Sequence, residues 1–266
     1  MTKRRAILTE AETPADDASP PSLLLSLIEA PRALSEATAL IPTHPILSSL
    51  PGGDGHAVMT LPGLLATDYS LSLMRAYLRR WGYDARRWKL GRNTGVTRQR
   101  DIEKMLDERL EALYVESGGK VSLVGWSLGG LFAREMARRN PQFVRTVITL
   151  GSPTGNPKST TIWRLYEYVS GTSLSDRAIR QRIEDFRKPL PDLPVTSIYS
   201  KTDAVVSWRI ATIPAGDMAE NIGIRMSHFG MGFNPVVFFA IADRLSQAEG
   251  EWSPFEISGF RRLFYH

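Results

Sequence analysis

Residues 120–140 read KVSLVGWSLGGLFAREMARRN. An apolar, strand-like run passes through Gly-Trp-Ser-Leu-Gly-Gly straight into a helical pattern, with no polar loop between them. Ser127 stands at the apex, with Gly125 two residues before it and Gly129 two after. A G-x-S-x-G spacing between strand and helix demands a tight turn that strains the serine backbone and lifts its hydroxyl above the end of a sheet. Gly125 and Gly129 are expected where strand and helix come too close for side chains.

The rest of the chain repeats this alternation. HAVMTLPG, from His56, is a short strand ending in a turn. Asp68 is placed to cap a helix over 69–81, with Gly82 as its left-handed stop. A strand is predicted at 86–90, then a helix over 98–115 with Ile102, Met105, Leu106, Leu110 and Leu113 at helical spacing. Strands follow at 120–125, 144–150, 195–200 and 221–225, and helices at 128–139 and 235–246. The predicted class is α/β, a mostly parallel sheet with helices on both faces. Residues 154–194 interrupt it with two predicted helices, 160–169 and 175–187. They read as a small helical cap over the edge where strands end.

Ahead of the 51–266 core, residues 1–20 are polar and acidic and read as a disordered leader. Residues 21–50 form a helical segment rich in leucine, packed on the core, with peripheral membrane contact through 21–40 as the alternative. Pro42, Pro45 and Pro51 are expected to break regular structure after it. The 266 residues include no cysteine and only four histidines, which excludes thiolate chemistry and makes a metal site unexpected. Net charge is +5, but the basic residues are scattered and no nucleic-acid-binding pattern occurs, so no nucleic acid partner is expected. Thr9 and Glu10 cut the first apolar stretch short of a signal peptide, and no run reaches the roughly 18 residues of a membrane span. A cytoplasmic protein is the expectation.

A serine hydroxyl needs a base to become a nucleophile, and the base needs an orienter. His228, in MSHFGMG, falls in a loop between the last predicted strand and the last helix. Asp203, in SKTDAVVSW, follows the 195–200 strand, and the order serine, acid, histidine suits this architecture. Asp217 is the second choice for the acid. An oxyanion hole needs two backbone N–H groups. Leu128 supplies one at the start of a helix, and Leu64, just after Pro62-Gly63, is expected to supply the other, with Leu65 close behind.

Four stretches carry a resemblance: LPGLL at 61–65, VGWSLGG at 124–130, SKTDAVVSW at 200–208 and SHFGMG at 227–232. Together they resemble the α/β-hydrolase superfamily on its lipase and esterase side. The resemblance implies a serine hydrolase of carboxylic esters, forming an acyl-enzyme on Ser127 with a Ser127–Asp203–His228 triad and needing no cofactor or metal. One departure is that many lipases place His-Gly where this chain has Pro62-Gly63, which favours a general esterase over a true lipase. Leu65, Arg92, Asn93, Trp126, Trp163 and Tyr166 are the candidate pocket residues, with Arg92 and Asn93 expected either to shape the pocket or to brace it and an outward-facing turn as their equal alternative. The cap face of Ile162, Trp163, Leu165, Tyr166, Tyr168 and Val169 is expected to pack as ordinary core. Were it instead to close over Ser127, the acyl group would be hydrophobic and the substrate lipid-like. The same triad would serve an acyltransferase or amidase, and a catalytically silent binding protein on this fold is the alternative of a different class.

Overall fold

The computed structural model describes residues 18–95, 101–175, 177–190 and 192–266. The expected leader lies outside the described residues except for 18–20. Six strands, β1 (Ala57–Leu61), β2 (Asp84–Arg87), β3 (Val121–Trp126), β4 (Val144–Leu150), β5 (Val195–Tyr199) and β6 (Ala219–Gly223), form one sheet. Its order is β2-β1-β3-β4-β5-β6, and each pairing is parallel. The helices are α1 (Leu23–Thr38), α2 (Leu40–Ser48), α3 (Ser72–Arg80), α4 (Ile102–Ser117), α5 (Leu128–Arg139), α6 (Trp163–Ser170), α7 (Arg177–Arg187), α8 (Trp208–Ala211) and α9 (Pro235–Leu245).

Alternate strand residues feed two cores. Val58, Val124 and Ile148 pack with Met74 and Trp81 near α3 and with Phe238 and Ile241 of α9. Met59, Leu123 and Val147 pack with Leu106 and Leu110 of α4 and Phe132 and Met136 of α5. Strands covered on both faces have no polar side to show, which is why they read as continuous apolar runs.

β2 lies on one side of β1 and β3 on the other, so sheet growth reverses there. Such a reversal opens a crevice outside the carboxyl ends of the two diverging strands, here β1 and β3. The register pairs Leu61 with Gly125, Trp126 with Leu150, Leu150 with Ile198 and Tyr199 with Gly223. The carboxyl ends therefore share one rim, and the loops after β1, β3, β5 and β6 all leave from it.

Three local expectations are corrected. The first turn before α3 is a 3-10 helix, Asp68–Leu71, whose cap is Thr67, accepting from the Tyr69 N–H. The Asp68 carboxylate instead accepts from the N–H groups of Trp88 and Lys89, a long-range bond that local capping preference cannot foresee. Pro42 and Pro45 do not break the chain but sit within α2, which is anchored by its buried Leu40 and Leu47. Pro42 stands in the first turn, where no intrahelical N–H bond is lost, and burial of Leu40 and Leu47 outweighs the penalty of Pro45. The apolar residues of α6 do not form one packed face, as the cavity described below makes clear.

Candidate active site

β3 ends at Trp126 and α5 begins at Leu128, leaving Ser127 as the whole of the turn. Its backbone sits at φ 53°, ψ −122°, a region that costs a non-glycine residue on the order of 1–3 kcal/mol. The Ser127 N–H donates to Leu150 O at 2.8 Å and its carbonyl accepts from Gly130 N–H at 3.0 Å, so the strain is held from both sides. A Cβ on Gly125 would stand 2.4 Å from Gly130 Cα, and one on Gly129 would stand 2.2 Å from Leu61 O. Glycine at these two places is a condition of the turn.

Asp203 follows β5 and His228 follows β6. His228 Nδ1 and Asp203 Oδ2 are hydrogen-bonded at 2.7 Å, and both side chains are buried. The other carboxylate oxygen accepts from the N–H groups of Val205 and Val206 at 2.7 and 2.8 Å, which fixes its orientation. Trp126, next to the serine, donates its indole N–H to the His228 carbonyl at 3.1 Å, tying the histidine loop to the serine turn. Among the described residues, no hydrogen bond reaches the Ser127 hydroxyl itself. Asp217 is exposed and immediately precedes β6, at the amino edge of the sheet away from His228.

The loop after β1 meets the serine closely, since a Cβ on Gly63 would lie 3.2 Å from Ser127 Cβ. Leu65 has φ 59°, and its N–H donates to Asn93 O at 2.7 Å. That bond removes Leu65 as an oxyanion donor. The Asn93 amide donates to Pro62 O at 2.7 Å and Arg92 donates to Leu65 O at 3.2 Å, so both brace the loop that carries Leu64.

A cavity of about 730 Å³, its open mouth included, is lined by Ser127, Leu64 and Leu128 at one end. Leu131 and Phe132 of α5, Ile162, Trp163 and Tyr166 of the cap, and Phe186 of α7 complete an almost wholly apolar wall. Leu65 and Trp126 lie outside this lining, contrary to expectation, and Arg92 and Asn93 take the bracing place rather than the pocket-shaping one: with Leu65 they knit the loop behind the cavity, and Trp126 reaches toward His228. Within the cap, Trp163 and Tyr166 face the cavity, whereas Leu165 and Tyr168 face solvent.

Sequence reasoning missed the contribution of α1. Glu29 accepts from the Phe229 N–H at 2.9 Å, and Glu36 accepts from the Ser227 N–H at 2.7 Å, so two carboxylates pin the residues on either side of His228. Arg32 donates to the Thr202 carbonyl and hydroxyl at 2.7 and 2.8 Å, beside Asp203. Burial pushes the Glu29 carboxyl above its ordinary value; the Phe229 N–H opposes this and the charge of Asp203 adds to it. The available signal was three charges, at 29, 32 and 36, on an otherwise uncharged helix.

A second constellation lies at the opposite edge of the sheet. His56 Nδ1 and Asp54 Oδ1 are 2.5 Å apart, and His56 Nε2 is hydrogen-bonded to Ser122 Oγ at 2.7 Å. Arg145 donates to the other Asp54 oxygen at 2.6 Å. Burial pushes the Asp54 carboxyl up, but the bonds from His56 and Arg145 outweigh it and hold the group far below its ordinary value. Burial lowers His56, and its bond to Asp54 only partly opposes that. Ser122 is fully buried within β3 and does not line the cavity at Ser127.

Comparison with known proteins agrees with the architecture. The mature form of the Bacillus licheniformis lipase BlEst2 superposes with a TM-score of 0.56 at 18% identity, over 75% of this chain and 95% of that one. Aspergillus fumigatus lipase B gives 0.56 at 16% identity, over 76% of this chain and 55% of that one. A pyrethroid hydrolase, PytH, gives 0.52 at 15% identity, over 74% and 99%. At such identities the likeness is one of fold. No curated protein matches the sequence. The sequence model of the alpha/beta hydrolase fold matches residues 82–215, half of the chain, from the turn before β2 to the loop before β6. With that match laid over an all-parallel sheet and its serine turn, the chain belongs to the alpha/beta hydrolase fold family.

Proposed function

We propose that this protein is a serine hydrolase that cleaves carboxylic esters with a hydrophobic acyl group through an acyl-enzyme on Ser127. The observation that carries the reading is the strained Ser127 backbone at the wall of an apolar cavity. Strain of this kind is kept where it presents a reactive group.

In this mechanism His228 Nε2 takes the Ser127 proton as Oγ attacks the ester carbonyl. Asp203, held by two backbone N–H groups, fixes the imidazole through Nδ1 and steadies the imidazolium that forms. The oxyanion is received by the N–H groups of Leu128 and Leu64. Leu128 opens α5, where the first amides have no intrahelical acceptor and the helix dipole favours negative charge. Leu64 is preferred to Leu65 because the Leu65 N–H is already engaged by Asn93. His228 then returns its proton to the leaving alcohol, and water, activated by the same histidine, releases the acid.

The lining supports the choice of acyl group. Among the described residues no charged side chain lines the cavity, and a long acyl chain would gain about 0.8 kcal/mol for each methylene taken from water. A series of p-nitrophenyl esters of increasing chain length tests the reading. kcat/KM is expected to rise from acetate toward medium chains and to vanish in Ser127→Ala. A Ser127→Ala protein that is folded and fully active, and a wild type that an alkyl fluorophosphonate fails to label at Ser127, would each remove it.

A further inference from the structure

An ordinary surface helix turns its apolar side inward and its charges out. α1 does the reverse. Its three charged residues, Glu29, Arg32 and Glu36, all turn toward the body and hold the loops after β5 and β6. Its outward side carries Leu24, Leu27, Ile28 and Leu34, with Leu27 75% and Leu34 69% exposed. α2 continues this uncharged surface with Ile41, 76% exposed, and Ile46.

The surface does not stop at the two helices. An apolar groove runs from the end of α1 across α2 to Phe260 and Phe264 near the carboxyl terminus. Beside them Leu263 is 80% exposed. The edge of this patch is positive. Arg262 is exposed within the Gly259–Leu263 turn, and Lys201 adjoins the Thr202 that Arg32 of α1 holds. Ile224 pairs with Tyr265 in an antiparallel bridge, which sets the exposed Arg225 beside Phe264 and His266. Among the described residues, none of Lys201, Arg225 and Arg262 pairs with a carboxylate.

We infer that the outward face of α1 and α2, together with the Phe260–Phe264 turn, docks the protein on an anionic lipid bilayer. Leucine, isoleucine and phenylalanine enter the acyl boundary, and Lys201, Arg225 and Arg262 meet the headgroups. Apolar burial plus attraction to anionic headgroups is the physics by which helices lie in a membrane interface. Charge argues for a bilayer over a second copy of the chain. A two-fold dimer would press the same patch on itself and bring like cations together. The inference does not depend on the proposed chemistry, because its readout is binding.

Co-sedimentation of the full chain with phosphatidylcholine vesicles, with and without phosphatidylserine, tests it. Wild type should pellet with the phosphatidylserine vesicles and release as salt rises. Leu27→Asp combined with Leu34→Asp should weaken binding by more than about tenfold, and Arg262→Gln by about fivefold. Circular dichroism and an unchanged melting temperature confirm that these exposed sites leave the fold intact. Three results overturn the inference: wild type that stays in the supernatant with every vesicle; binding that both variants retain; or a dimer without lipid that the double aspartate variant dissociates, which would assign the face to a second copy.

Discussion

Asp54, His56 and Ser122 at the amino edge of the sheet carry the same three functional groups as Asp203, His228 and Ser127 at the carboxyl edge. The first set is closed: each neighbouring pair is hydrogen-bonded, with Arg145 on the far side of the acid. The second is bonded only between acid and imidazole among the described residues. Yet the closed set stands away from the cavity that Ser127 lines. Ser122 lies fully buried inside a regular strand, whereas Ser127 stands in a strained turn at the wall of an apolar cavity. Residue types and hydrogen bonds alone do not make a site. Position at the carboxyl ends of parallel strands, where loops diverge and a helix begins, is what separates a structural staple from a candidate catalyst.

The sharpest way to break this contrast is to remove each hydroxyl in turn. Ser127→Ala should lower kcat/KM for a p-nitrophenyl ester by at least about 10⁴-fold with the melting temperature unchanged. Ser122→Ala should leave turnover per folded molecule as it is, while costing about 1–3 kcal/mol of stability because the buried His56 Nε2 loses its partner. A folded Ser122→Ala protein without activity would reverse the two assignments.

The acids give the next largest difference. Asp203→Asn should reduce kcat about 10³- to 10⁴-fold by disfavouring the useful imidazole tautomer. Asp54→Asn should leave kcat alone and cost about 1–2 kcal/mol in denaturant unfolding, a modest figure because Asp54 is half exposed and its charge is screened.

Acid should discriminate the edges further. The protonation constants of His56 and Asp54 are both depressed in the fold, so the unfolded chain binds their protons first. The stability they contribute is present above the ordinary histidine value near 6.5 and is lost as pH falls below it, with the Asp54 share following below 3.8. Melting temperatures of wild type should therefore fall between neutral and mildly acidic pH more steeply than those of His56→Gln. Equal slopes would show that this staple does not titrate on unfolding.

Glu29 has the opposite sign and the smallest effect. Its carboxyl is raised in the fold, so its contribution is complete below the ordinary value of 4.5 and is lost as pH rises through the folded one. Glu29→Gln, which keeps an acceptor for the Phe229 N–H, should gain stability relative to wild type from acid to neutral pH, read as the difference between their melting temperatures. No change with pH would mean that the buried carboxylate is fully compensated by its neighbours.

The serine turn was legible because its requirements are local. A period-2 run, two glycines at fixed offsets and a period-3.6 run can all be read within 20 residues. Asp203 and His228 were legible one step less directly, through their places after predicted strands. What escaped reading depends on partners distant in the chain. Asp68 leaves its cap position for Trp88 and Lys89, Leu65 takes a left-handed turn to reach Asn93, and α2 tolerates Pro45 because Leu40 and Leu47 are buried. The inward charges of α1 look like any helix charges until the loops they hold are known. The division of α6 into a cavity side and a solvent side is likewise set by the floor beneath it.

The cap leaves the body after β4 and re-enters at β5, and these two strands are neighbours paired from Val147 with Val195 to Leu150 with Ile198. Its two joints are therefore fixed by the sheet, one at the carboxyl end of β4 and the other at the amino end of β5, on opposite rims of parallel neighbours. A different helical segment grafted there would have to keep the Thr161 N–H on Val205 O at 2.9 Å and the Thr161 hydroxyl on Ala204 O at 3.2 Å, because Val205 is one of the two residues whose N–H groups orient Asp203. The segment that walls the cavity and the loop that carries the acid are thus mechanically coupled through Thr160 and Thr161.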